Sequence, residues 1–290
     1  EDKEKMEQKD STATAIESAD LDSAIKYNSS GNKLYKQEKY DHALVEYRRA
    51  LVIRESILGK NHTDTTCCYH NIGRALDDKG QYNEALDYYN KALSIRESVL
   101  GENHTDTAQT YNNIGETLHN KKQYDEALVY HNKALAIRES VYGKNHTSTA
   151  FSYNNIGLAL HAKVQYDEAL EYYNKALAIY ESVLGNNHTD TAMSYNNIGL
   201  VLKGKGQYDE ALKYHRKALA IRESVLGKNH TSTADSYSNI GTALNKKGQT
   251  DQALEFHMKA FAIRQSILGR NHPKTKRSQK RVNELSNKNK

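Results

Sequence analysis

The chain has 290 residues, a net charge of +5, 37% hydrophobic residues, one proline and no tryptophan. No run reaches the roughly 20 apolar residues that a bilayer-spanning helix needs, and the only cysteines, Cys67 and Cys68, are adjacent, which excludes a disulfide framework. Composition thus predicts a soluble, cytoplasmic protein with no membrane contact.

The charge is uneven along the chain. Residues 1–22 hold eight carboxylates against three lysines, and residues 270–290 hold eight Lys or Arg against Glu284. The acidic stretch lacks a sustained apolar period and reads as a tail or a loose leading helix.

From there an Asn-His pair recurs every 42 residues, beginning at Asn61, Asn103, Asn145, Asn187, Asn229 and Asn271. Self-similarity at such a period marks stacked units, each burying its apolar face against its neighbours. It predicts an all-α solenoid, an α-α superhelix of six helix-turn-helix units. They span about 23–60, 61–102, 103–144, 145–186, 187–228 and 229–270. The first is the most divergent and reads as the N-terminal cap. A basic capping helix follows over 271–285 and a disordered tail over 286–290.

Within a unit, spacing places two helices. Tyr195, Ile198, Gly199 and Leu202 fall at i, i+3, i+4 and i+7, the stripe of a first helix, helix A. Lys205-Gly206-Gln207 makes a turn, and Ala211, His215, Ala218 and Leu219 continue the period in helix B. Gly199, Ala211 and Ala218 let the helices approach, while Tyr195 and Tyr208 fill gaps between layers. Helix B should stop at Gly227 with a left-handed C-cap. Glu38, Lys122 and Val164 stand where other units have the turn glycine, which predicts slightly poorer packing in those copies. In the terminal helix Val282 is expected to be the main apolar contact.

The pattern Tyr195-x-x-Ile198-Gly199-x-x-Leu202, then Gly206-x-Tyr208-x-x-Ala211 and Ala218-Leu219, resembles the tetratricopeptide repeat. The 42-residue length and the VLGxNH stretch are similar to the repeats of kinesin light chains.

The resemblance implies a non-catalytic adaptor whose helices A line a concave groove for extended peptides. In that family an Asn on helix A reaches the ligand main chain. Asn71, Asn113, Asn155, Asn197 and Asn239 occupy one such place, one residue before the core Ile and off the buried stripe. An amide there can donate and accept at once. Bonding between neighbouring repeats is the structural alternative for the same residues.

Specificity is expected from variable residues on the same faces. Phe151, Leu158, Met193 and Leu200 predict an apolar anchor site, and Lys203 stands at its edge. Arg277 and Arg281, beyond Asn239, partly resemble the carboxylate clamp of co-chaperone repeats and favour acidic segments. The same basic run leaves an alternative, an RNA-binding or nuclear repeat protein. The lack of interleaved aromatic residues argues against nucleic acid.

No catalytic constellation, cofactor loop, small-molecule substrate site or metal set is read from the chain. Homologous histidines of successive units lie a helical layer apart, too far to share a zinc ion. The Asn-His pairs therefore read as loop caps, and the partners as proteins or peptides.

Overall fold

A computed structural model describes residues 20–288; most of the acidic stretch, residues 1–19, lies outside it. The described residues form thirteen α-helices and no strand. The chain divides into two compact units, the first running to Val141 and the second starting at Tyr142.

In the first unit, α1 covers residues 20–36 and is followed by α2 (Tyr40–Ile57), α3 (Thr63–Asp78), α4 (Tyr82–Leu100), α5 (Thr105–Asn120) and α6 (Tyr124–Tyr142), at whose end the boundary falls. The second holds α7 (Thr147–Ala162), α8 (Tyr166–Leu184), α9 (Thr189–Gly204), α10 (Tyr208–Leu226), α11 (Thr231–Lys246), α12 (Thr250–Leu268) and α13 (Pro273–Lys288). Successive helices pack on one another within each unit, and alternate helices on one side also touch, α3 with α5 in the first unit and α7 with α9 and α9 with α11 in the second.

The recurring His starts each helix A. His188 has an extended backbone, and its Nδ1 accepts from the Asp190 backbone N–H at 3.2 Å; His62, His104, His146 and His230 do the same. This is N-capping by imidazole, and it requires the neutral ring with its proton on Nε2. The next turn is closed by a buried threonine, as Thr191 Oγ1 donates to the Gly185 carbonyl at 2.9 Å.

Gly185 and Gly227 end their helices at φ 86 with ψ 169 and 164. That is the extended, glycine-only region instead of the expected left-handed cap. The large ψ sends the chain outward into the Asn-His loop rather than wrapping it back on the helix.

Each helix A glycine takes a ring from helix B. A Cβ on Gly157 would lie 2.7 Å from the Tyr173 ring, and one on Gly199 2.7 Å from His215. The small residue therefore makes room for a side chain as well as for a backbone. Around these contacts Tyr195 and Ile198 are buried with Ala192, Ala211 and Ala218, while Leu202 is half-buried beside a fully buried Val201.

Two expectations for the C-terminus are corrected. The last helix continues to Lys288, with Ser286 Oγ donating to the Val282 carbonyl, so residues 286–288 are helix rather than tail. Its main apolar contact is Leu285, which joins the cluster of Leu212, Ile240 and Leu244, whereas Val282 is only half-buried. Thr275, Ser278 and Leu285 form the buried face of α13, and Leu285 lies one 42-residue period after Ala243.

Candidate functional site

The five asparagines are more deeply placed than the stripe suggested. Asn113, Asn155 and Asn197 are buried, and Asn71 and Asn239 half-buried; within a unit a helix A such as α9 is flanked by its own helix B, the preceding helix B and its neighbouring helices A. In the first unit Asn71 Nδ2 donates to Asn28 Oδ1 at 2.9 Å, and Asn113 Nδ2 to His70 Nδ1 at 3.0 Å. In the second, Asn197 donates to Asn154 at 2.9 Å and Asn239 to Asn196 at 2.7 Å. The amide N–H groups of Asn71, Asn113, Asn197 and Asn239 thus join one helix A to the one before. For Asn113 the carbonyl oxygen is also used, accepting from Gln109 Nε2. Burial, followed by nearby Arg96 and Arg74, pushes His70 down to about 4, which keeps its ring a neutral acceptor.

Beside this ladder in the second unit lie Phe151 and Leu158 on α7 and Met193 and Leu200 on α9, all half-buried. Asn154 Nδ2 approaches Met193 Sδ at 3.8 Å, linking α7 to α9. These residues form an apolar stretch on adjacent helices. Asn71 and Asn113 belong to the first unit and Asn155, Asn197 and Asn239 to the second.

The polar end is a cavity of about 370 Å³ in the second unit, between α9, α11 and α13. Lys203, Asn239, Arg277 and Arg281, all singled out from the sequence, line it together. Burial lowers the Lys203 pKa, and the charges of Arg281 and Lys246 lower it further. Arg281 Nη1 lies 3.5 Å from Thr242 Oγ1.

Arg222 and Arg264 add two guanidinium groups from the helix B layer, and sequence reasoning missed both. Arg222 donates to Ser236 Oγ at 2.8 Å and to the Ser232 carbonyl at 3.1 Å. Arg264 donates to Ser278 Oγ and pairs with Asp235. A repeated spacing was available as a signal, since Arg54 and Arg96 likewise reach Cys68 and Thr110, each 14 residues on. Among the described residues no group of three or more His, Cys, Asp or Glu is placed to hold a metal ion, and no helix is long and apolar enough to cross a membrane.

The tetratricopeptide repeat family model matches residues 22–98, 78–140, 106–182, 155–224, 190–266 and 232–282. No curated protein matches. Among solved structures, BtubC (BKLC) from P. vanneervenii is 18% identical with a TM-score of 0.61, over 89% of this chain and 94% of that one. A putative kinesin light chain with TPR-like repeats from Podosopora anserina is 22% identical with a TM-score of 0.58, over 71% and 97%. Aspartyl phosphate phosphatase F from Bacillus subtilis is 17% identical with a TM-score of 0.67, over 94% and 73%. At these identities the likeness is one of fold. With the family model matched across all six units, the chain belongs to the tetratricopeptide-repeat family.

Proposed function

We propose that the chain is a non-catalytic protein-interaction adaptor that binds an extended peptide along the helix A faces of its second unit. The observation that carries this reading is the adjacency, on α9, of an apolar stretch and a cationic cavity: Met193 and Leu200 lead directly to Lys203. An extended segment with an apolar anchor and a nearby acidic group fits both. Because the Asn N–H groups already join the helices, the ladder serves first to hold these faces in register. The unpaired Cys67 and Cys68 go with a reducing, cytoplasmic setting.

A peptide array probed with the wild-type chain and with Leu158→Glu/Leu200→Glu tests it. Bound peptides should lose signal when aromatic or aliphatic positions are changed to Ser, and the double variant should lose them all while keeping its helical circular dichroism. Binding that is indifferent to the apolar positions, or retained by a folded double variant, overturns the reading.

A further inference from the structure

We propose that the cavity between α9, α11 and α13 takes a phosphoryl group carried by a side chain of the bound peptide. This rests on the peptide-binding reading and specifies the acidic group that its polar end receives.

Charge is the first argument. The one carboxylate among the lining residues, Asp235, is held by Arg264. Lys203, Lys274, Arg277 and Arg281 line the same space, and among the described residues none of them pairs with a carboxylate. Keeping like charges close without a counter-ion opposes folding, so the arrangement is one that a ligand completes. A carboxylate brings a single charge and two oxygens in a plane. A phosphorylated side chain brings about −1.5 to −2 charges and three acceptor oxygens in a tetrahedral array.

The directions of the donors support the tetrahedral group. Lys203 enters from α9 and Arg277 and Arg281 from α13, while on the α11 side the Thr242 hydroxyl donates to the Ser238 carbonyl and the Asn239 amide to Asn196, so these three cations are the donors that face the space. Guanidinium forks suit phosphate oxygens, and the lysine supplies a point charge. Depression of the Lys203 pKa by burial and by Arg281 agrees with a site short of negative charge.

A polypeptide carrier is favoured over nucleic acid by what surrounds the cavity. The cations of α13 are divided: Arg277 and Arg281 line this space, while Lys276 and Lys280 line a separate depression with Glu284, which lies 3.9 Å from Lys280. No continuous basic strip is left for a backbone of repeated phosphates. Leu200 precedes Lys203 by roughly one helical turn, about 4.5 Å of rise. With about 3.3 Å per extended residue, the phosphorylated position should lie within about three residues of an apolar one.

Fluorescence anisotropy with three labelled peptide pools provides the test. Each pool has four randomised positions on either side of a central phosphoserine, serine or glutamate. At physiological salt the full chain should bind the phosphoserine pool at least ten-fold more tightly than either of the others. Arg277→Ala/Arg281→Ala should remove that preference with the melting temperature unchanged, since both side chains are exposed, and Lys203→Met should reduce it.

Equal affinity for the phosphoserine and glutamate pools overturns the phosphoryl assignment and leaves the peptide reading standing. So does a preference that survives in the double arginine variant. Inorganic phosphate that competes as strongly as the phosphopeptide, mole for mole, or a single-stranded oligoribonucleotide that binds more tightly than it does, overturns the peptide as carrier.

Discussion

The α7–α8 and α9–α10 pairs are close in sequence, and their differences include buried and turn positions, among them a fully buried Ala159 in the first that is Val201 in the second. Tyr180, Tyr173 and Val164 in the first stand where Arg222, His215 and Gly206 stand in the second. The consequence is clearest at Tyr180. Arg222 reaches Ser236 and Arg264 reaches Ser278, but the Ser194 hydroxyl, 14 residues after Tyr180, is buried without a partner. One backbone plan thus accepts either an ionic or an apolar junction, and the polar residues around it have not all changed with the junction. The cationic cavity lies where the arginines are kept, and the apolar stretch begins on α7, the helix A of the tyrosine-bearing pair.

The largest effect should come from converting one junction into the other. Arg222→Met removes charge-assisted bonds to the Ser232 carbonyl and the buried Ser236 hydroxyl, leaving the hydroxyl as orphaned as Ser194. A loss of about 2–3 kcal/mol is expected from urea unfolding. A loss no greater than that of an exposed Arg216→Met control would mean that the junction contributes nothing.

The second difference is read through pH. His215 lies against Gly199 with both ring nitrogens buried and unpartnered, and burial, then Lys203 and Arg222, pushes it down to about 3. Its folded pKa is below the unfolded value of about 6.5. The unfolded chain therefore takes up the proton first, and stability that is complete above pH 6.5 falls as the pH is lowered toward 3. Between pH 7 and 5 this group should account for about 2 kcal/mol of lost stability. His215→Tyr installs the ring that Tyr173 provides one repeat earlier and should remove that part of the acid sensitivity. An unchanged difference between the two pH values would place the acid sensitivity elsewhere.

The third effect is smaller and of opposite sign. Ser194→Ala deletes the orphan hydroxyl and should stabilise the chain by about 1 kcal/mol, whereas Ser236→Ala, which deprives Arg222 of one of its two acceptors, should destabilise it. The pair of melting temperatures moving in the same direction would refute the distinction between the junctions.

Much of this organisation was legible because it repeats. The period of 42, the small residues and the Ile and Tyr of helix A state the layering directly, and the cap by His follows from its place before each stripe. What was hidden lies between layers. Asn197 reaches Asn154 across 43 residues and Arg222 reaches Ser236 across 14, and neither spacing is a neighbour relation on one helix. The asparagines looked peripheral because the stripe of one helix does not show that its flanks are covered by other helices. In α13, loss of the Tyr and Gly landmarks moved attention to Val282, while the buried small polar residues Thr275 and Ser278 pointed toward Leu285. For the site, the residues that meet at the cavity were visible on the helix A faces, but the guanidinium layer beneath them was masked by its regularity in helix B.

The turn between the helices offers the finest comparison. Gly206 has φ 79 and Val164 has φ 65, so the backbone takes the left-handed form whichever residue is present, with Gln165 N–H bonded to the Leu160 carbonyl as Gln207 N–H is to Leu202. The expectation of poorer packing in such copies becomes one of local strain. A β-branched residue in this region costs roughly 1–2 kcal/mol sterically, while glycine costs up to about 1 kcal/mol through the entropy of the unfolded chain. Val164 is 63% exposed, so little apolar burial is at stake. Val164→Gly should therefore stabilise the chain by about 0.5 kcal/mol, and Gly206→Val should destabilise it by a similar amount or more. Reversal of the first sign would show that the surrounding bonds hold the turn without strain.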